Sequence, residues 1–370
     1  MDRRDWLFGL KEIPGIGLVT VQNFLKHMEK HINQGLFPDV SQLSIKDLRS
    51  FGIPEDKARA IKQTMTEDFI AERYERYRKA GVQVIVDGDE AYPPLLREIY
   101  QRPYVFYVKG DIEKLKHPSI AVVGTRRATP YGKRAARRLV SELCAAGLGI
   151  VSGMARGIDT EAHRTSLAEG APSAAVLGTG LDIIYPRENA LLIDRMAQEG
   201  VLVSEWPLGT PASKGLFHLR NRIISGLTLG TLVVEAGMKS GALITAEYAV
   251  EQDRDVYFVP GSIFSEQSQG TLAEIKNFPS QCVTSGVEIA EKYTHIISRL
   301  RPSSRKPSAR VKLTEDERRV LEIIAEKERS IDEILELTQY QFGHLHTVLL
   351  SLLIKKQIQK TPGSTYVSIY

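Results

Sequence analysis

Between Ser119 and Gly180 three short apolar runs each end on a glycine turn, and few architectures accept such a pattern. Ser119-Ile120-Ala121-Val122-Val123 stops at Gly124-Thr125-Arg126-Arg127, Gly149-Ile150-Val151 at Ser152-Gly153, and Ala174-Ala175-Val176-Leu177 at Gly178-Thr179-Gly180. Each run is too short for a helix and lacks in/out alternation, so it reads as a strand buried on both faces. Between the first two, Lys133 to Ala146 places Ala136, Leu139, Val140, Leu143 and Cys144 on one face and Lys133, Arg134, Arg137 and Arg138 on the other. That is an amphipathic crossover helix, and strand, helix and strand at this spacing make a right-handed βαβ unit. The expected fold is α/β, an extended Rossmann-like parallel sheet with its glycine turns at the carboxyl edge, where such sheets bind ligands.

The same rhythm runs past Gly180. Val201-Leu202-Val203 ends at Ser204-Glu205, Thr231 to Val234 at Glu235-Ala236-Gly237, and Val256 to Val259 at Pro260-Gly261. Upstream, Val82 to Val86 and Pro103 to Val108 lead into this sheet. A length of 370 residues leaves room for two or three domains. Residues 1–75 read as a helical domain, either of helix-hairpin-helix (SAM-like) type or a small packing domain, since the second turn lacks the second glycine. There Ile13-Pro14-Gly15-Ile16-Gly17 opens one helix and Phe51-Gly52-Ile53-Pro54 a second. Residues 76–297 form the Rossmann-like domain, and residues 298–312, rich in Arg, Lys, Pro and Ser, a basic linker. In residues 313–370 Thr314 and Ser330 cap two helices, Gly343 to Lys356 make a third, and a hairpin turning at Pro362-Gly363-Ser364 completes a winged helix. Two cysteines suffice for neither a disulfide framework nor a zinc site, and no run is long enough for a membrane span. A cytoplasmic protein is expected, with no membrane partner.

The turns carry the chemistry. Gly124-Thr125-Arg126, Ser152-Gly153, Gly178-Thr179-Gly180 and Ser240-Gly241 offer backbone amides near helix starts, which suit phosphate. Arg126, Arg187, Arg220, Arg222 and Lys239 form a basic rim, and Tyr185 and Phe217 supply aromatic faces. Cations interleaved with aromatics suit a single-stranded nucleic acid. The structural alternative is that some of these arginines pair with Asp159, Asp182, Glu205 or Glu235 and merely hold the turns. Gly-Thr-Arg-Arg is not a dinucleotide fingerprint, and no ribose-gripping acid follows the second strand. Asp159 and His163 stand four apart without a third ligand, so an internal hydrogen bond is expected and neither metal nor cofactor. Glu205, Asp182 and Glu235 are the carboxylates available for a rival activity, acid–base cleavage of a nucleotide glycosidic bond.

Several longer motifs carry a resemblance: Gly124-Thr125-Arg126, Ser152 to Thr160, Gly178 to Asn189, Arg220 to Leu227, Glu235-Ala236 and Lys239 to Ala246. In this order they resemble the DprA/Smf proteins over most of residues 80–262. The resemblance implies a homodimeric, non-enzymatic protein of natural transformation. Such proteins bind and protect incoming single-stranded DNA, displace single-strand-binding protein and help load RecA recombinase. It implies DNA contacts at Arg126 and Arg187, with Asn221 inside the Arg220-Asn221-Arg222 motif. The chain departs from the family pattern at His218, where a proline is usual, and at Gly270 to Pro279, which lack the usual glycine-alanine pair. This second stretch is associated in the family with self-association and RecA contact. Leu272, Ile275 and Phe278, spaced by three after a possible Ser268 cap, are therefore a candidate dimer interface, with core packing as the alternative. The third helix of the winged module carries basic side chains only at Lys355 and Lys356, so it is expected to contact protein rather than DNA.

Overall fold

The computed structural model describes residues 1–32, 43–278, 281–300, 313–355, 357–360 and 365–368. Contacts divide the chain into two units, Met1–Tyr293 and Thr294–Tyr370. Most of the expected linker (301–312), Lys356, Pro279 and the Pro362-Gly363-Ser364 turn lie outside the described residues.

The first unit is built on an eight-stranded sheet. Its strands are β1 (Gln83–Val86), β2 (Val105–Gly110), β3 (Ser119–Val123), β4 (Gly149–Ser152), β5 (Ser173–Leu177), β6 (Val201–Ser204), β7 (Gly230–Val233) and β8 (Asp255–Phe258), in the order β1-β2-β6-β5-β4-β3-β7-β8. β3 to β8 run parallel, while β2 pairs antiparallel with β6 and β1 with β2. Every residue of β3, β4 and β5 is buried, as expected for strands covered on both faces. The chain steps outward from β3 to β6 and then returns to the other side of β3. The topological switch point therefore lies between β3 and β7.

The helices follow from the same sequence logic. In the amino-terminal part, α1 (Arg3–Glu12) opens on an Asp2 capping box, and α2 (Leu18–Ile32) follows the Ile13–Gly17 turn. Gly15, at φ 83°, takes the left-handed conformation there, where a side chain would be strained. Next come α3 (Ile45–Ser50), α4 (Glu55–Thr64), α5 (Glu67–Lys79) and the short α6 (Pro94–Glu98). In the sheet region the crossovers are α7 (Pro130–Ala146), α8 (Ile158–Ala168), α9 (Ala190–Glu199), α10 (Lys214–Gly226) and α11 (Gly241–Glu251). α7 is capped by Thr129 and buries Ala136, Leu139, Val140 and Leu143. α12 (Gln269–Asn277) and α13 (Gly286–Lys292) close the unit. Two apolar clusters sandwich the sheet. One joins Trp6, Phe8, Phe24 and Tyr77 of the amino-terminal helices to Val84, Tyr107 and Leu202; the other joins α6, α10 and α11 to Phe106, Val123 and Val233.

The second unit holds α14 (Thr294–Leu300), α15 (Glu315–Glu326), α16 (Ile331–Thr338) and α17 (Phe342–Ile354). Its small sheet is ordered β10-β11-β9, from Arg329–Ser330 (β9), Ile358–Lys360 (β10) and Thr365–Ser368 (β11). Thr314 and Ser330 both cap as expected, each in a full capping box. The added short strand β9 completes a winged helix. On α17 the exposed residues include Phe342, His344, His346, Thr347, Leu350 and Ile354, and Lys355 just beyond is held by Glu317 at 2.7 Å. That surface offers a phosphate backbone little charge.

Candidate nucleic-acid interface

Backbone turns leaving β3, β5 and β7 converge with the start of α10 around a crevice of ≈ 810 Å³ at the switch point. Arg126, Arg127, Lys214 and Lys239 are exposed on its lining, and none of these four is in an ion pair with a described residue. Tyr185 and Phe217 stand together at its mouth, ring centroids 5.2 Å apart, and the Arg126 guanidinium lies 5.5 Å over the Phe217 ring. Lys239, Ser240, Gly241 and Asn221 complete the wall, where Asn221 Nδ2 donates to the Gly241 carbonyl at 3.2 Å and Ser240 caps α11. A smaller cavity of ≈ 30 Å³ shares Arg126, Tyr185, Phe217 and Arg220, and adds Gly153, Gly178 and Thr179.

The turn that carries Arg126 is held from below. The Thr125 amide donates to the Glu235 carbonyl at 2.7 Å, and Thr125 Oγ1 donates to Gln267 at 2.6 Å. The buried Glu235 carboxylate accepts from the Thr129 amide at 2.9 Å and the Thr129 hydroxyl at 2.6 Å. A side chain on Gly132 would meet that carboxylate at 1.9 Å, so the start of α7 requires glycine there. The carboxylate holds the loop from beneath while the loop's own cations point outward.

Several sequence expectations are revised. Ser152 is fully buried and donates to the Val122 carbonyl, and the Gly153 amide is already given to Asp159 at 3.1 Å. That turn therefore has no free Gly153 amide for phosphate. Gly180 donates to the Thr210 carbonyl and is not on either lining. Thr179 is buried, and Gly178 serves close packing, since a Cβ there would strike the Phe217 ring at 2.6 Å.

The arginines divide. Arg220 lines both cavities but is buried, donating to the carbonyls of Gly153 and Val176. Burial brings its guanidinium down to about 10, with Asp159 opposing and Arg126 reinforcing the shift. Burial raises the Asp159 carboxyl, against the pull of Arg220 and two backbone amides. Arg222 leaves the rim altogether. It is buried, and its Nη2 donates to both oxygens of the Glu205 carboxylate, each at 2.8 Å, as the structural alternative had it. Removing one partner from such a pair costs about 3–5 kcal/mol. Arg187 is exposed on a 3-10 turn (Arg187–Asn189) but lies off both linings, so Arg126 and Arg187 do not share one cavity wall.

The carboxylates are committed to structure. Glu205 holds Arg222, Glu235 holds Thr129, and Asp182 accepts from the Gly209 amide at 2.8 Å. Asp159 and His163 do not bond each other: Asp159 takes backbone amides, and His163 Nδ1 meets Ser173 Oγ at 3.1 Å. Among the described residues no cluster of His, Cys, Asp or Glu is arranged to hold a metal ion. Of the proposed dimer residues, Ile275 packs partly into the core under the sheet, Leu272 is half-buried and Phe278 is 53% exposed. Ser268 stands at the N-cap of α12 without a side-chain capping bond.

Lys214 and Gln267 line the crevice without having been singled out in the sequence, and Arg127 and His218 line it without having been named as binding residues. Lys214 had a signal, lying one helical turn before Phe217. Gln267 had none, since it meets Thr125 across 142 residues of chain.

No helix among the described residues is long and apolar enough to cross a membrane. Residues 83–294 match the family described as DNA recombination-mediator protein A, and residues 304–364 match the DprA winged helix domain. Protein Smf of Synechocystis is 30% identical over 98% of this chain and 97% of its own length. The X-ray structure of DNA processing protein A from Streptococcus pneumoniae superposes with a TM-score of 0.69 at 32% identity, covering 79% of this chain and 98% of that one. A structure of DNA processing protein A from Helicobacter pylori, described for its single-stranded DNA binding mode, has a TM-score of 0.53 at 27% identity over 58% of this chain and 96% of that one. Matched by a family model across its α/β unit and by a relative over nearly its whole length, the chain belongs to the DprA/Smf family.

Proposed function

We propose that this chain binds single-stranded DNA in the crevice at the carboxyl edge of β3 and β7, and acts in natural transformation as a recombination mediator without turnover. The observation that carries the reading is the crevice lining itself. Four exposed cations outside ion pairs surround the Tyr185–Phe217 pair, so phosphates find charge and splayed bases find stacking faces. The Helicobacter pylori relative, named for single-stranded DNA binding, supports the same ligand. In this reading the protein protects the strand in the cytoplasm, displaces single-strand-binding protein and helps load RecA recombinase. It does so as a homodimer whose interface includes the exposed Phe278. Residues 1–75 and 76–297 act together around the crevice, and residues 313–370, with their charge-poor α17, contact protein.

The rival is hydrolysis of nucleoside monophosphates. It is disfavoured because Glu205, Glu235 and Asp182 are each engaged in holding backbone or arginine. Gel shifts on single- and double-stranded oligonucleotides, run beside incubation with nucleoside monophosphates, separate the two. Strand binding without base release is expected; base release without strand binding would overturn the proposal. RecA ATPase on oligonucleotide coated with single-strand-binding protein tests the loading step, with faster onset expected on adding this protein. Sedimentation of Phe278→Asp tests the dimer: a folded monomer is expected, and an unchanged dimer contradicts that interface.

A further inference from the structure

Residues 205–213 run from the end of β6 into α10, and supply Ala212 and Ser213 to the crevice wall just ahead of Lys214 and Phe217. Part of this segment is held locally. Gly180 donates to the Thr210 carbonyl, and the Gly209 amide to Asp182. The rest is held from the amino-terminal helices. Leu208 has both backbone groups taken by adjacent residues of α5. Its amide donates to the Tyr77 hydroxyl at 3.2 Å, and its carbonyl accepts from Arg76 Nη2 at 3.2 Å. Tyr77 is itself fixed, donating to the Glu12 carboxylate at 2.6 Å and stacking on Tyr107 with ring centroids 4.6 Å apart. At the start of the segment Lys11 of α1 lies 3.8 Å from the Glu205 carboxylate and 4.8 Å from the centre of the Trp206 ring. Both oxygens of Glu205 also accept from Nη2 of Arg222 on α10, the helix that presents Lys214, Phe217 and Asn221 to the crevice. Two routes thus run from the amino-terminal helices to the DNA-facing start of α10: Arg76 and Tyr77 through Leu208, and Lys11 through Glu205 and Arg222.

We infer that the amino-terminal helices are a working part of the crevice. Lys11, Arg76 and Tyr77 are positioning residues that set the path of residues 205–213, and so decide whether Lys214 reaches a phosphate. The inference rests on the reading of the crevice as a single-stranded DNA site. Linkage makes it reciprocal: anything that shifts α5 against the sheet alters DNA affinity, and DNA alters the affinity of whatever binds those helices by the same factor.

The test uses the full chain and a labelled oligothymidylate, with affinity and salt slope read by anisotropy. Arg76→Ala and Tyr77→Phe should each weaken binding by about 2- to 30-fold, the range found for mutations that act through a connecting network. The salt slope should flatten by about 0.7, because one phosphate contact is lost. Arg76→Lys, which keeps a donor toward Leu208, should recover much of the affinity. Adding Lys214→Ala to Arg76→Ala should cost less than Lys214→Ala costs alone, because the two act on one contact. A merely destabilised protein would lose active fraction, with neither the slope change nor the non-additivity. Wild-type affinity and slope in both single variants, or strict additivity with Lys214→Ala, overturns the inference while leaving the crevice reading intact. Failure of the wild-type chain to bind the oligonucleotide removes both.

Discussion

Replacing Arg126 and Lys239 together with alanine tests how the crevice uses its charge. Both are exposed on the lining, and neither is in an ion pair with a described residue, so each is available to a phosphate. Arg127 and Lys214 complete a set of four such cations. On a single strand each neutralised phosphate contributes about −0.7 to the slope of log affinity against log salt, giving about −2.8 for the full set. Raising salt from about 50 to 200 mM then weakens wild-type binding by about 50-fold, but the double variant by only about 7-fold. The assay is anisotropy of a labelled oligothymidylate across a potassium chloride series. Thermal melting serves as the fold control, which two exposed side chains should shift little. A folded double variant with the wild-type slope would refute the assignment of phosphates to this wall.

Phe217→Ala should weaken binding by about 1–3 kcal/mol, the worth of one stacked base, while leaving the salt slope unchanged; unchanged affinity would remove base stacking from the account. Glu235→Gln leaves one acceptor oxygen where the Thr129 amide and hydroxyl each use their own. It should lower stability in urea by about 1–3 kcal/mol and weaken DNA binding through the Arg126 turn, and an unmoved midpoint would contradict the clamp. His163 is fully buried, and burial pushes its imidazole down to about 3. The unfolded chain, with its histidine at about 6.5, takes up a proton that the folded chain refuses. Stability should therefore fall on acidification below about pH 6.5, by about 1.4 kcal/mol per unit. His163→Asn should lose that part of the slope in denaturant titrations between about pH 7.5 and 5, and a variant with the wild-type pH dependence would show the histidine to be ordinary.

The sheet was legible because its central strands are uninterrupted apolar runs with glycine at their ends, and each signal is local. The edge pair was harder to place. Residues 82–86 and 103–108 were expected to lead into the sheet, but the antiparallel docking of β2 on β6, with β1 beyond it, depends on a partner about 100 residues away. At the site, Arg126, Lys239 and Tyr185 were legible as crevice residues because they sit in turns that follow strands, and Phe217 because it lies close in sequence to Arg220. Arg220 and Arg222 looked equivalent to them in sequence. Their burial follows from the phase of α10 against the sheet, and a helix two residues out of register would have reversed it. Ser152 and Gly153 failed for a related reason. A Gly-rich turn advertises amides, but Asp159, six residues on from Gly153, had already taken one. The hold of Lys11, Arg76 and Tyr77 on residues 205–213 left no trace in the sequence, because each contact spans well over a hundred residues.

Photo-crosslinking tests the central claim most directly. An oligonucleotide carrying 5-iododeoxyuridine, bound to the full chain and irradiated, should leave adducts on the peptides that contain Tyr185 and Phe217, and Phe217→Ala should abolish the second. Adducts confined to the Ile13–Gly17 hairpin or to α17 of the winged helix, with none around the crevice, would contradict the account and move the DNA site off the carboxyl edge of the sheet.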